Sequence, residues 1–448
     1  MGASMSLLPS VKETFARHHL RAMTADAPGF LLETMERVGP DFWLGVGNTT
    51  MTVLSSPEAM RHVLQQRASA WGRGSALSDT RLLFGNGIIA SDPPLWLRQR
   101  RTMQPAFHHA HATRWLEVIL AATDRCLDAL SMNQPFSVRQ AMLRLTRESI
   151  VHVLFSNTLG ADAEPIGEAF AVIEQVMGER AVALAKLPLS TPTAQRERLR
   201  TAIGFIDERL FGLIASRRAE AEPPLDLLTM LLRATDPETG ERMTDQQLRD
   251  ELMSTFLAGH ETTANVLTWA LALLGQNPAE AELAAAEVEQ VLGTTAPTME
   301  SLSHLPRLNA IIRETMRLYP PVWMIAREAL EEDEVRSVRM PRGSVVLLPM
   351  FLTHRSTALW DEPAIFKPER FLKETSTDAA AWDFRYLPFG AGPHFCIGNR
   401  LALLECVVVL VRWLQRGVVE LEAPHSVRHA VGISLMVADG LPAKFRPR

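Results

Sequence analysis

Residues 244–276 constrain the fold more than any other stretch of this chain. Thr244, with Gln247 three positions later, has the pattern of a capping box, and Asn277-Pro278 cannot continue a helix, so both ends are marked. The run between them is about 50 Å long at 1.5 Å per residue. Leu248, Leu252, Val266 and Leu273 lie along one face, while Phe256, Leu257, Leu267 and Leu271 lie elsewhere around the circumference. A helix apolar nearly all round belongs in an interior, so other elements must surround it. At its middle, Ala258-Gly259-His260-Glu261-Thr262-Thr263 puts an acid and two hydroxyls where packing alone asks for none.

A second stretch, Phe389-Gly390-Ala391-Gly392-Pro393-His394-Phe395-Cys396-Ile397-Gly398, is built for a tight turn. Two glycines two residues apart, followed by a proline, allow close backbone approach. Residues 399–416 are rich in Leu and Val and stop at Gly417, so they read as a helix with a glycine just past its end. Cys396 therefore lies at a helix N-terminus, where the dipole and unpaired N–H groups favour thiolate, the form that ligates metal. A structural zinc wants four N/S ligands, and no second Cys or His stands at C-x₂₋₄-C spacing. One thiolate suffices for a single axial bond to a haem iron. For Cys396 alone, a structural cysteine beside a glycine turn explains the same letters.

Taken together, Phe389, Gly392, Cys396 and Gly398 resemble the haem-binding loop of the cytochrome P450 family, F-x-x-G-x-x-x-C-x-G, whose thiolate pushes electron density toward O–O cleavage. Three further motifs carry the resemblance. Trp96 and Arg100 stand one helical turn apart and resemble the family's W-x-x-x-R, which implies that both bind a haem propionate. Alone, the pair describes a basic solvated helix equally well. Residues 258–263 resemble A-G-x-[DE]-T-T, which implies that Gly259 clears room for a ligand, that Ala258 lies over the iron, and that Glu261 and Thr262 deliver protons to dioxygen. Glu314-Thr315-Met316-Arg317 is among the commonest surface pairings when met alone. With Arg370 in Pro368-Glu369-Arg370-Phe371 it matches the family's buried ion network. The resemblance covers nearly the whole length, in order.

What remains is ordinary for a globular protein. The chain has 448 residues, 47% apolar and 22% charged, and 46 basic against 51 acidic residues give a net charge of −5. That balance excludes a nucleic-acid footprint. Three cysteines, Cys126, Cys396 and Cys406, make no disulfide framework and point to a reducing compartment. Cys126 and Cys406 read as small buried hydrophobes inside helices. The first 23 residues show neither a secretory core nor a cleavage site, and nothing approaches the roughly 20 apolar residues of a membrane span. The expectation is a cytoplasmic protein of the bacterial type.

Along the chain, helices are expected over 27–38, from Pro57 with Ser56 as N-cap, over 113–156, 163–218, 225–233 and 306–318, with breaks at Pro165, Pro188 and Thr191-Pro192. Short strands are expected at 42–44, 49–54, 335–348 and 418–446. Residues 68–94 read as mostly loop. Their Gly85-Asn86-Gly87-Ile88-Ile89-Ala90 matches the dinucleotide letters G-x-G-x-x-A, yet Asp92-Pro93-Pro94 follows where that motif needs a helix. His108, His109 and His111 read as surface residues.

The fold expected is one mainly α cytochrome P450 domain over 1–448, with small antiparallel sheets. Its helix-rich body lies at about 94–320 and its sheet-rich parts at about 41–54, 323–348 and 418–446, with haem between the central helix and the one after the Cys loop. The resemblance implies a monooxygenase that inserts one oxygen from O2 into a C–H or C=C bond, with haem b held by the Cys396 thiolate and propionates held by Trp96, Arg100, His394 and Arg327. The expected substrate is a hydrophobic molecule of secondary metabolism, terpenoid, fatty acid or polyketide-like, walled by Phe84, Ile88, Ile89, Ala258, Val322, Trp323 and Leu435. A haem-thiolate isomerase or peroxide-driven enzyme, and a non-catalytic haem sensor or carrier, are the alternatives. Without a flavin or iron–sulfur motif the expected partner is a ferredoxin or flavodoxin with its NAD(P)H reductase, acting on a monomer. It would dock on a basic face made by Arg98, Arg101 and Arg400.

Overall fold

The computed structural model describes residues 10–11, 17–46, 49–73, 81–156, 163–182, 193–373 and 381–448. They form two compact units, Met1–Ser78 with Arg313–Cys396, and Asp79–Ile312 with Ile397–Arg448.

The first unit carries a six-stranded mixed sheet. Asp41–Val46 and Thr49–Leu54 pair antiparallel, as their alternation predicts. Thr49–Leu54 then pairs parallel with Val345–Leu348, which runs antiparallel to Ile325–Ala329, and Trp71–Gly72 closes that edge. Behind the sheet lies a core of Leu54, Met60, Leu64, Trp71, Val346, Leu348 and Leu387. Ser56 caps Pro57–Arg61 by accepting from the Ala59 N–H, as the Ser-Pro-Glu letters indicate. The first helix spans Arg17–Val38 and breaks at Asp26, so its second part corresponds to the expected 27–38.

The second unit is helical around Asp245–Gln276, called here the central helix. Its capping box forms, Thr244 accepting from the Gln247 N–H while Gln247 accepts from that of Thr244. Residues 248–274 are buried with four exceptions, Thr255, Ala258, Gly259 and Thr262. The expected helix over 113–156 is in fact two, Ala112–Asp128 and Val138–Phe155, because Pro135–Ser137 leaves the helical path to pair with the C-terminal strand Pro442–Pro447. That pairing is long-range, which local periodicity does not report. The breaks at Pro188 and Thr191-Pro192 lie outside the described residues.

Candidate functional site

The Cys396 loop is held at nearly every turn. The Cys396 N–H donates to the Phe389 carbonyl (3.0 Å), the Phe395 N–H to Gly392 (3.1 Å) and the Gly390 N–H to Leu387 (3.2 Å). Gly390 and Gly392 have φ of +73° and +64°. Gly392 is doubly required, since a Cβ there would lie 1.9 Å from the Leu64 carbonyl oxygen. Phe389 and Phe395 meet edge to face at 6.2 Å across the loop. Cys396 itself is exposed and in no disulfide. Gly398 caps the helix Asn399–Arg416 that follows.

Behind the loop lies the network of Glu314 and Arg317. Arg317 donates to both Glu314 oxygens (2.7 and 2.8 Å) from a fully buried position, and its guanidinium also reaches the carbonyls of His354, Pro363 and Ile365. The Lys367 N–H donates to Glu314 (2.9 Å). Arg370 is looser, with Nε 3.5 Å from the Glu314 carboxylate while its NH2 group donates to the Glu362 carbonyl. His354 joins this network to the loop, because its Nε2 accepts the Leu387 N–H (2.7 Å). Burial, followed by the Arg317 charge, pushes the His354 pKa down to about 3, so the ring stays neutral and able to accept. No sequence signal marks His354, since its partners lie 33 and 37 residues away.

On the same unit, Arg327 is buried in the strand Ile325–Ala329, with NH1 on the neighbouring Ala326 carbonyl. The register Trp71↔Ala329 and Gly72↔Glu328 brings Arg73 alongside it. Arg73 donates to His394 Nδ1 (3.3 Å), which leaves the ring proton on Nε2. Arg73 is a basic residue the sequence reading passed over, and its signal lies in that strand register alone. Val322 is exposed and Trp323 buried.

In the second unit, Trp96 is buried on Leu95–Met103 and Arg100 is half-exposed on the same face, its Nε donating to Gln104 (3.1 Å). Thr255, Ala258, Gly259 and Thr262 follow i, i+3, i+4, i+7 and so form one open strip on the central helix. Thr262 donates its hydroxyl to the Ala258 carbonyl (2.6 Å). Glu261 points away from the strip, accepting from Ser434 Oγ (2.8 Å), with Arg139 at 4.0 Å. Ser434 in turn accepts from Asn265 (2.7 Å). Burial, reinforced by Glu174, raises the Glu261 pKa above the usual carboxylate range.

Three expectations change. A Cβ on Gly259 would lie 2.9 Å from Ile150 Cδ1, so this glycine admits the packing of Val138–Phe155 rather than a ligand. Leu435 is fully buried and lines no open space, because alternation along Leu435–Val437 turns it inward, and the residue that this segment contributes is Ser434. The basic face loses two members: Arg98 pairs with Glu241 (2.8 Å), and Arg101 with Asp236 (3.3 Å) and Glu238 (2.7 Å), all on one acidic turn. Phe84 is buried, Ile88 and Ile89 half-exposed, and Arg400 exposed.

These residues fit a haem. A Cβ on Gly390 or Gly398 would meet nothing within 4 Å, so space borders the thiolate loop. One thiolate accompanied by guanidinium and imidazole donors suits an iron macrocycle with two carboxylates. Among the described residues no group of three or more His, Cys, Asp or Glu could hold a bare metal ion.

A mainly helical chain with one cysteine raised on a glycine-turned loop defines the haem-thiolate class. The description of cytochrome P450 matches residues 16–434. Relatives include cytochrome P450 97B2 of Glycine max, chloroplastic, 30% identical with 92% of this chain and 81% of that one covered. Cyclooctatin synthase of Streptomyces melanosporofaciens is 32% identical over 80% and 79%, and cyclooctat-9-en-7-ol 5-monooxygenase of the same organism 30% over 81% and 79%. The crystal structure of the cytochrome P450DA heme domain superposes with a TM-score of 0.88 at 25% identity, covering 99% of this chain and 98% of that one. The chain belongs to the cytochrome P450 family. It is an oxygen-incorporating oxidoreductase with a haem-thiolate cofactor, and among the described residues no helix is long and apolar enough to cross a membrane.

Proposed function

We propose that this protein is a monooxygenase of an apolar small molecule of the terpenoid kind, using haem b, O2 and electrons from a separate ferredoxin or flavodoxin. The observation that carries the reading is the Cys396 loop, whose backbone is fixed by Phe389, Gly392 and Leu64 while the thiol faces outward. The haem, when bound, supplies the oxygen activation. The chain occupies this role as one domain over residues 1–448.

Cys396 would be the protein ligand of the iron, its thiol exposed on the loop. Arg327 and His394, with Arg73 beside them, would hold a propionate by charge-assisted hydrogen bonds, and in the second unit Trp96 and Arg100 would offer the same chemistry. Thr262 places a hydroxyl on the open strip, and Glu261 is a protonatable acid held behind it by Ser434. Its raised pKa suits a group that gives up a proton during turnover. Ala258 and the threonine methyls give the strip apolar contact area, and the Thr262 hydroxyl is bonded back to the Ala258 carbonyl, which suits an apolar substrate. The relative named cyclooctat-9-en-7-ol 5-monooxygenase takes a substrate of that character.

The test is a titration of the haem-loaded protein with cyclic terpene alcohols, followed by turnover with ferredoxin and its reductase under ¹⁸O2. A low-to-high spin change and one labelled oxygen in the product support the reading. Product formed with peroxide alone, and none with the electron carrier, favours a peroxide-driven enzyme. Binding without any product favours a sensor or carrier.

A further inference from the structure

The glycine turn that carries the dinucleotide letters is used for something else. Its N–H groups are already committed: Asn86 donates to Asp250 Oδ2 (2.9 Å) and Ile88 to Glu251 Oε2 (2.9 Å). Both carboxylates come from the first turns of the central helix. Asp250 also accepts from Gln246 (2.9 Å) and Arg249 (3.1 Å), and Arg249 reaches on to the Leu83 carbonyl (2.8 Å). From the other side Gln99 donates to the Asn86 carbonyl and accepts from Ser91. The turn is thus clamped at both flanks by side chains it does not itself contain.

The glycines make the clamp possible. A Cβ on Gly85 would lie 2.2 Å from Asp250 Oδ2, and one on Gly87 2.2 Å from Ser254 Oγ and 2.5 Å from the Asp250 carbonyl oxygen. Ser254 precedes Ala258 by one helical turn, and Glu251 precedes Thr255 by one. The turn therefore rests on the central helix directly before the open strip, with Ile88 and Ile89 half-exposed at its tip.

We infer that Asp250 and Glu251 are positioning residues that fix the 84–91 turn as a rigid wall at one end of the open strip, and so set the bulk of substrate accepted beside Ala258. The inference rests on the haem-thiolate reading for its substrate. The clamp itself stands on geometry. Burial also pushes the Glu251 carboxyl up to about 8, so near neutrality it holds a proton while Oε2 accepts from Ile88. Glu251→Gln therefore preserves the bond, and Glu251→Leu removes it.

The experiment measures amide hydrogen exchange of residues 84–91 in the haem-loaded enzyme, and the affinities of imidazole, 4-phenylimidazole and clotrimazole by absorption titration. Glu251→Leu should speed exchange of this segment by about tenfold or more. It should change the clotrimazole-to-imidazole affinity ratio by about fivefold or more, while imidazole alone stays within about twofold. Glu251→Gln should match the wild type in both. Gly87→Ala, which forces the turn off the helix without altering either carboxylate, should reproduce the leucine variant and replaces it if that variant fails to accumulate. Unchanged exchange in both variants, or faster exchange with an unchanged affinity ratio, overturns the inference. Wild-type protein whose haem spectrum ignores imidazole would instead overturn the haem reading, and the exchange arm would still report on the clamp.

Discussion

The Cys396 loop and the middle of the central helix solve opposite problems. The loop is held by added interactions: a carbonyl or an aromatic ring meets each of its turns, and Glu314, Arg317 and His354 tie it to the carbonyls of Pro363 and Ile365 behind it. The open strip is made by leaving bulk out, with Ala258 and two threonines in a run otherwise packed on every side. Fixing a ligand atom calls for redundancy, whereas admitting a substrate calls for a local lack of packing, which a helix bonded along its own axis can sustain.

The largest break in this contrast should come from Arg317→Met. It strands the buried Glu314 carboxylate and frees the carbonyls of His354, Pro363 and Ile365, at a cost of about 3–5 kcal/mol. Urea unfolding should show the loss, and the thiolate-type Soret band of the reduced carbon monoxide form should fall with it. Cys396→Ser should lose that band at nearly unchanged stability, which separates the ligand from its support.

Gly392→Ala tests the loop at a single atom. A Cβ meeting the Leu64 carbonyl at positive φ should cost about 1–3 kcal/mol, seen as a lower Tm and slower haem uptake. On the helix side, Gly259→Ala should cost about 1 kcal/mol or less, since Ile150 Cδ1 is the end of a flexible side chain, and should leave the substrate spectrum alone. A substrate spectrum changed by Gly259→Ala would show that this glycine borders the substrate as well as Ile150.

The smallest effect concerns pH. Burial pushes the Glu405 carboxyl in Asn399–Arg416 from its ordinary 4.5 up to about 8. A folded state that holds this proton while the unfolded chain releases it loses stability as pH rises between those values and levels off above them. Tm should fall by a few degrees from pH 5 to pH 8.5, and Glu405→Gln should flatten part of that slope. An unchanged slope would place its origin elsewhere, Glu251 being another carboxyl held near 8.

What the sequence determined by itself is what lies within one or two helical turns. The capping box of Thr244 and Gln247, the Ser56-Pro57 helix start, the Trp96–Arg100 face, the Glu314–Arg317 pair and the glycine-turned Cys396 loop all depend on contacts between residues at most about ten apart, so their letters suffice. Tertiary structure alone decided who answers them. It set Ser434 against Glu261 across 173 positions, His354 against Leu387 across 33, and Ile150 against Gly259. It also closed Leu435 into the core and gave Arg98 and Arg101 to the acidic turn at 236–241. A side chain's local spacing fixes which way it points from its own element. Its partner, its burial and its net charge belong to whatever other element packs against it, and that is settled only when the chain has folded.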